Sequence, residues 1–214
     1  MFHDRVDAAQ RLRRKLKKYE FHDPLVLGIP RGGIVTAAVL SRGLHAEGDV
    51  ILVRKLRAPL EPEQAVGAIA EDGEAHVSAF AEQVDADEEY LDGEKRRRMD
   101  ELEQRRQTFR EIRPRAELTG RSIILADDGI ATGSTMMAAI NVVREKSPHD
   151  LTVAVPVAPA DSISRIRDHV DRVICLETPD KFVAVGDFYE QFDQVSDEQA
   201  CRLLREASAV KTCD

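Results

Sequence analysis

The stretch Ile123-Ile124-Leu125-Ala126-Asp127-Asp128-Gly129-Ile130-Ala131-Thr132-Gly133-Ser134-Thr135 constrains this chain more than any other. Its first four residues are apolar, as in a strand buried on both faces. Its last residues form a Gly/Thr/Ser loop that runs into an apolar helical pattern from about Met136 to Lys146. Strand, tight loop and helix in that order make a βα unit, the building block of a parallel sheet. Ligands of such sheets bind beyond the carboxyl ends of the strands. The two acids stand at that edge.

The loop after them has the parts of a phosphate cradle. Gly129 and Gly133 let backbone N–H groups turn toward one point around Ala131. Thr132, Ser134 and Thr135 add hydroxyl donors, and the helix N-terminus adds partial positive charge. Adjacent carboxylates can accept hydrogen bonds from vicinal sugar hydroxyls. Acids beside a phosphate cradle therefore suggest a sugar phosphate. An ordinary capped strand–turn–helix needs only one acid and one glycine, so it does not account for the whole run. Asp127 and Asp128 lie past the strand end, where they are expected to face solvent without ligand. No Gly-Lys-Ser/Thr follows the loop, and no G-x-G-x-x-G occurs in it, so the Walker and dinucleotide patterns are absent.

The remaining sequence repeats the strand–helix alternation. Apolar strands are expected at Leu25–Ile29, Val50–Val53, 122–126, Leu151–Val157 and Val173–Leu176, with a further one at Val66–Ala70. Helices are expected at Ile34–Leu40, 136–146 and Ser162–His169, preceded by an amphipathic helix that Asp4 can cap. The fold class is therefore α/β: a central parallel sheet with helices on both faces. Two segments interrupt it. Residues 85–113 are charged and free of proline, with a sparse stripe of Leu91, Met99, Leu102, Phe109 and Ile112. They read as one long helix whose narrow apolar face packs on its own domain or on another subunit. Residues 56–64, with Pro59 and Pro62, read as an exposed loop. With 214 residues, no repeat and no linker, one domain spanning 1–214 is expected.

A net charge of -8 argues against a general nucleic-acid binder, whose affinity comes mostly from phosphate neutralisation. Cys175, Cys201 and Cys213 form no C-x-x-C pair and read as free thiols. The N-terminus lacks the apolar core of a signal peptide, and the longest apolar stretches are too short to span a membrane. The cytoplasm is the expected location, with no membrane partner.

The segment 123–135 resembles the phosphoribosyl pyrophosphate signature of type I phosphoribosyltransferases: four mostly apolar residues, two acids, then a small-residue loop with Thr-Gly and a final Thr. The likeness extends over nearly the whole chain. It is nearest to bacterial stand-alone phosphoribosyltransferase-like proteins of undefined acceptor, which share stretches like Pro-Arg-Gly-Gly, Val-Arg-Lys-Leu and Val-Gly-x-Phe-Tyr. The resemblance implies that Arg31, Gly32 and Gly33, after the first strand, form a pyrophosphate-binding loop, often of unusual peptide geometry. It implies that Arg54 and Lys55 supply basic contacts to pyrophosphate at the root of a flap over 56–64. Arg57 stands where these relatives have glycine. It implies a small hood at 177–195 over the acceptor, where Phe182 either stacks on a base or plugs the hood. Asp127, Asp128 and Lys55 are the implied catalytic groups. The cofactor is Mg²⁺ carried by the ligand, near Asp127 or Asp128 and without a protein cage. The implied partners are phosphoribosyl pyrophosphate and a small nitrogen acceptor, with the chain a homo-oligomer serving nucleotide metabolism. A non-catalytic sensor of the same ligand, using 85–113 to regulate a partner, is the alternative.

Overall fold

The computed structural model describes residues 1–61 and 64–209. In chain order the elements are α1 (Arg5–Leu16), β1 (Leu25–Gly28), α2 (Gly32–Leu44), β2 (Glu47–Val50), β3 (Val53–Arg57), β4 (Ala65–Ala70), β5 (Ala75–Val77), α3 (Phe80–Gln83), α4 (Glu88–Arg110), β6 (Ser122–Ala126), α5 (Ser134–Glu145), β7 (Asp150–Val157), α6 (Ala160–Arg167), β8 (Arg172–Glu177) and α7 (Asp197–Ser208).

Five strands pair in parallel in the order β2-β1-β6-β7-β8. Side-chain alternation divides each strand between two cores. Leu25, Leu27, Ile123, Leu125, Val153 and Val155 face a layer that includes Met136, Ile140 and Val143 of α5 and Ile163 and Ile166 of α6. Val26, Ile124, Ala126 and Ala154 face Leu12 and Leu16 of α1 and Ala37 and Leu40 of α2. Helices thus cover both faces, which is why these strands read as unbroken apolar runs. Asp4 caps α1 as expected, accepting from the Asp7 amide at 2.8 Å.

The chain leaves β1 toward β2 on one side and returns at β6 to build the other side. The neighbouring carboxyl ends of β1 and β6 are therefore the topological switch point, where the crevice of such sheets opens. Gly28 pairs with Ala126 there, so the loops after both strands start side by side.

Three expectations need correction. The run Val50–Val53 is not one strand: β2 ends at Val50, and β3 begins a separate antiparallel sheet, β3-β4-β5. The run 66–70 is a strand, but it belongs to that second sheet. The loop expected at 56–64 begins later, because Leu56 and Ala58 are buried and β3 runs through Arg57. Pro62 and Glu63 lie outside the described residues. Proline and charge concealed a strand that buries Val53 on one face and Leu56 on the other.

The long helix is α4, and its stripe packs within its own chain. Leu102 and Phe109 are buried with Leu56, Val66 and Ile69 of the second sheet. Glu94, also buried, accepts from Arg98 at 2.7 Å and from the Arg57 amide at 3.1 Å, pinning the helix to β3. At the end of α4, Arg110 donates to Asp49 at 2.9 Å and to Glu71 at 2.6 Å. Arg121 reaches Glu47 at 2.6 Å, and Arg113 pairs with the same carboxylate.

Candidate functional site

The β6 strand delivers Asp127 and Asp128 at the switch point, directly against the loop after β1. Ideal Cβ atoms explain the two glycines of that loop. On Gly32 it would collide with the Asp128 carboxylate, and on Gly33 it would stand 2.7 Å from the Ala126 carbonyl and 3.0 Å from Asp127 Oδ1. The peptide between Pro30 and Arg31 is cis, in keeping with the unusual geometry that the resemblance implies. Arg31 itself turns away, toward Asp197 at the start of α7, 3.4 Å from its carboxylate.

The loop 129–135 wraps the N-terminus of α5. Gly133 adopts φ 77°, the left-handed conformation that glycine takes without a Cβ penalty, and it serves as the N-cap. Thr132 and Ser134 hydroxyls lie 2.9 Å apart. Behind them, Ser162 donates to the Ala131 carbonyl at 2.8 Å and Arg165 to the Thr132 carbonyl at 2.9 Å, which fixes the loop from outside. Asp127 and residues 129–136 enclose a hollow of about 120 Å³. Lys55 reaches this loop from the second sheet, with Nζ donating to Ser134 Oγ at 3.1 Å.

Arg54 does not join Lys55. Consecutive strand residues point to opposite faces, and Arg54 lies against α4, 3.3 Å from Glu101. The two cations expected at one place are therefore divided between two.

Contrary to expectation, the acids are half-buried rather than open to solvent. Asp128 is gripped by Arg5, the first residue of α1, with Nε donating to Oδ2 at 2.6 Å, and only 12% and 14% of the two side chains exposed. The Asp128 amide donates to Asp127 Oδ1 at 2.9 Å. Burial, and then the neighbouring Asp128 charge, push the Asp127 carboxyl well above its ordinary value, while Arg5 pulls the other way. Arg5 also donates to the Asp193 carbonyl at 2.7 Å, and its guanidinium lies 3.7 Å from the centroid of Phe192. The Tyr189 hydroxyl donates to the Asp128 carbonyl, and burial raises that phenol's pKa.

Tyr189, Phe192, Phe182 and Phe188 form a small aromatic group after β8, stitched to the start of the chain. The Phe2 amide donates to the Phe188 carbonyl at 2.8 Å, and the Phe2 carbonyl accepts from the Glu190 amide at 2.9 Å. Phe182 stacks on Phe188 at 5.5 Å and both rings are half-buried, so packing and an open ring face coexist there. Arg5 and Tyr189 were missed from the sequence. Arg5 stands in an amphipathic helix rich in cations, and nothing local links it to an acid 123 positions away.

Among the described residues no three His, Cys, Asp or Glu side chains group as metal ligands, and no helix is long and apolar enough to cross a membrane. The phosphoribosyl transferase domain model matches residues 3–193. A Mycobacterium tuberculosis protein provisionally named as a phosphoribosyl transferase, known from two strains, is 40% identical over 211 residues, covering 97% of this chain and 47% of the relative. The chain thus spans about half the length of the curated relatives it matches. The crystal structure of TT1426 from Thermus thermophilus superposes with a TM-score of 0.93 at 41% identity, covering 97% of this chain and 99% of that one.

Proposed function

The chain belongs to the phosphoribosyl transferase family, and from that premise we propose that it binds phosphoribosyl pyrophosphate and transfers the 5-phosphoribosyl group to a nitrogen acceptor, releasing pyrophosphate. The observation that carries this reading is the meeting of the acid pair with the phosphate loop at the switch point of the sheet. The loop 129–135 would hold the 5-phosphate through backbone N–H groups, the Thr132 and Ser134 hydroxyls and Lys55 Nζ. Asp127 and Asp128 would accept from the ribose 2′- and 3′-hydroxyls. Gly32 and Gly33 would let pyrophosphate approach the backbone.

Displacement at C1 builds positive charge on the sugar ring, so catalysis is mostly positioning and electrostatics. The acid pair holds negative charge under that ring. Two adjacent carboxylates without a third ligand suit Mg²⁺, which keeps waters and takes substrate phosphates as its remaining ligands. When bound, Mg²⁺ would neutralise the leaving pyrophosphate. The half-buried Phe182 and Phe188 are the surface we assign to the acceptor, with a nucleobase as the natural class for a flat aromatic contact. We place the activity in the cytoplasm and in a homo-oligomer, on sequence and family grounds.

The test is incubation with phosphoribosyl pyrophosphate, Mg²⁺ and a panel of bases, following pyrophosphate release, with binding measured separately by calorimetry. Release with one base supports transfer. Binding without release across the panel turns the reading to a ligand sensor, and no binding at all overturns it.

A further inference from the structure

Arg5 occupies a position that helix energetics do not favour. A cation in the first turn opposes the helix dipole at a cost of about 0.3–1 kcal/mol, so its place at the start of α1 calls for another reason. The other contacts of Arg5 supply one. Nε is bound to Asp128 Oδ2 at 2.6 Å, Nη1 to the Asp193 carbonyl at 2.7 Å, and the guanidinium plane rests on Phe192 at 3.7 Å. Gly32 lies against the same oxygen, so close that a Cβ there would collide with Asp128 Oδ2. With Oδ2 fixed by Arg5 and backed by Gly32, Oδ1 is the oxygen available to accept.

We propose that Arg5 is a positioning residue for the sugar site: from the N-terminal helix, and braced by the hood, it fixes the orientation of Asp128, and so ties sugar binding to the hood that faces the acceptor. This rests on the reading of Asp127 and Asp128 as ribose-hydroxyl acceptors. It goes beyond that reading by adding a residue outside the phosphoribosyl pyrophosphate signature. Asp193 and Phe192 belong to the segment after β8 that also carries Tyr189, whose hydroxyl meets the Asp128 carbonyl. Asp128 is therefore held by the hood directly at its backbone and, through Arg5, at its side chain.

The experiment compares the parent with Arg5→Gln and Arg5→Lys, titrating each by calorimetry with ribose 5-phosphate and, separately, with inorganic phosphate. Arg5→Gln is expected to bind ribose 5-phosphate about tenfold or more weakly, the scale of a hydrogen bond to a charged group. Its phosphate affinity should stay that of the parent, because the cradle at 132–135 does not touch Arg5. Arg5→Lys should recover a substantial part of the sugar affinity, since it restores the charge but not the fork geometry. A merely structural Arg5 would depress both ligands together and show no rescue by lysine, and either result overturns the proposal. So does an Arg5→Gln protein that binds ribose 5-phosphate like the parent. A parent that binds phosphate but gains nothing from ribose 5-phosphate overturns the sugar-site reading itself, and Arg5 with it. Should Arg5→Gln fail to fold, Phe192→Leu carries the same test. It leaves the charge and removes the ring beneath it, with an expected loss of roughly threefold for ribose 5-phosphate alone, the scale of a partly exposed cation–π contact. An unchanged affinity in that variant counts against the proposal.

Discussion

Two regions around the parallel sheet treat their acids in opposite ways. Around the outer strand β2 and the adjoining second sheet, Glu47 meets Arg113 and Arg121, Asp49 and Glu71 share Arg110, and Asp72 meets Arg115 and Lys146. Burial works against the Glu47 and Asp72 carboxylates, but these cations prevail and hold both below their ordinary values. At the carboxyl-terminal edge, two adjacent acids have Arg5 as their cation, and Asp127 is driven upward. Acids with full complements of cations hold structure together. Acids left short of cations, in a crevice, are where perturbed proton affinity points to function.

The strongest way to break this contrast is to neutralise the under-compensated pair. Replacing Asp127 and Asp128 by Asn should remove about 3–6 kcal/mol of sugar-ring stabilisation, or roughly 10²–10⁴ in kcat/KM, if two charge-assisted hydrogen bonds add. Affinity for phosphoribosyl pyrophosphate by calorimetry is the check. A double variant that binds like the parent would remove the pair from the sugar site. Asp128→Asn alone should also lower the melting temperature, because it strips Arg5 of its partner. In the other group, Arg110→Met leaves the largely buried Glu71 without its cation and the buried Asp49 with only Arg113, 3.9 Å away. A loss of about 3–5 kcal/mol in urea unfolding is expected, as for other broken buried pairs, with ligand affinity of the residual folded protein unchanged. A small loss would mean that this group is not held by its charges.

Two lesser effects sharpen the contrast. Lys55→Ala should weaken ribose 5-phosphate and phosphoribosyl pyrophosphate alike, by about 1.5–3 kcal/mol, since Nζ sits on Ser134 in the phosphate loop. A loss confined to the pyrophosphate ligand would move Lys55 to the pyrophosphate, as the family resemblance alone implies. The smallest effect is in pH. The folded state binds a proton at Asp127 more tightly than the unfolded chain does. Its contribution therefore favours folding most below about pH 4, the ordinary aspartate range. That contribution fades as pH rises through the elevated value. Glu47 and Asp72 act in the other direction, losing their stabilisation as pH falls through their depressed values. Asp127→Asn should accordingly raise the melting temperature at pH 7 and leave the acid-side loss in place. If the parent and the variant melt alike at every pH, Asp127 is not held with a raised proton affinity.

Most of the parallel sheet was legible in the sequence, because strands covered on both faces must be apolar at every position, as 123–126 and 153–155 are. The second sheet was not. Its strand β3 places Arg54 and Lys55 between Val53 and Leu56 and then meets Ala58 and Pro59, a pattern that looks like a loop. That the acid pair and the Gly/Thr/Ser loop stand together at a strand end was legible because their parts are contiguous. Arg5, Tyr189 and Phe192 were hidden because the contacts that gather them around Asp128 join distant segments, and pairing across such separations leaves no local trace. The cover over Asp128 was missed for the same reason, since Arg5 of α1 and Tyr189 of the hood supply it.

Strand β3 also turns chemistry into a matter of parity. Arg54 and Lys55 carry the same charge, and only their odd or even place in the pleat sends one to Glu101 and the other to Ser134. A single residue added to the short connector Ile51-Leu52, with pairing to β4 slipped by one, would exchange their destinations. The composition would barely change, yet the loop 129–135 would receive a forked guanidinium in place of a compact ammonium. The connector at 58–64 lies beyond both cations and has no such say. Length variation among related chains should therefore accumulate after β3 and be purged before it.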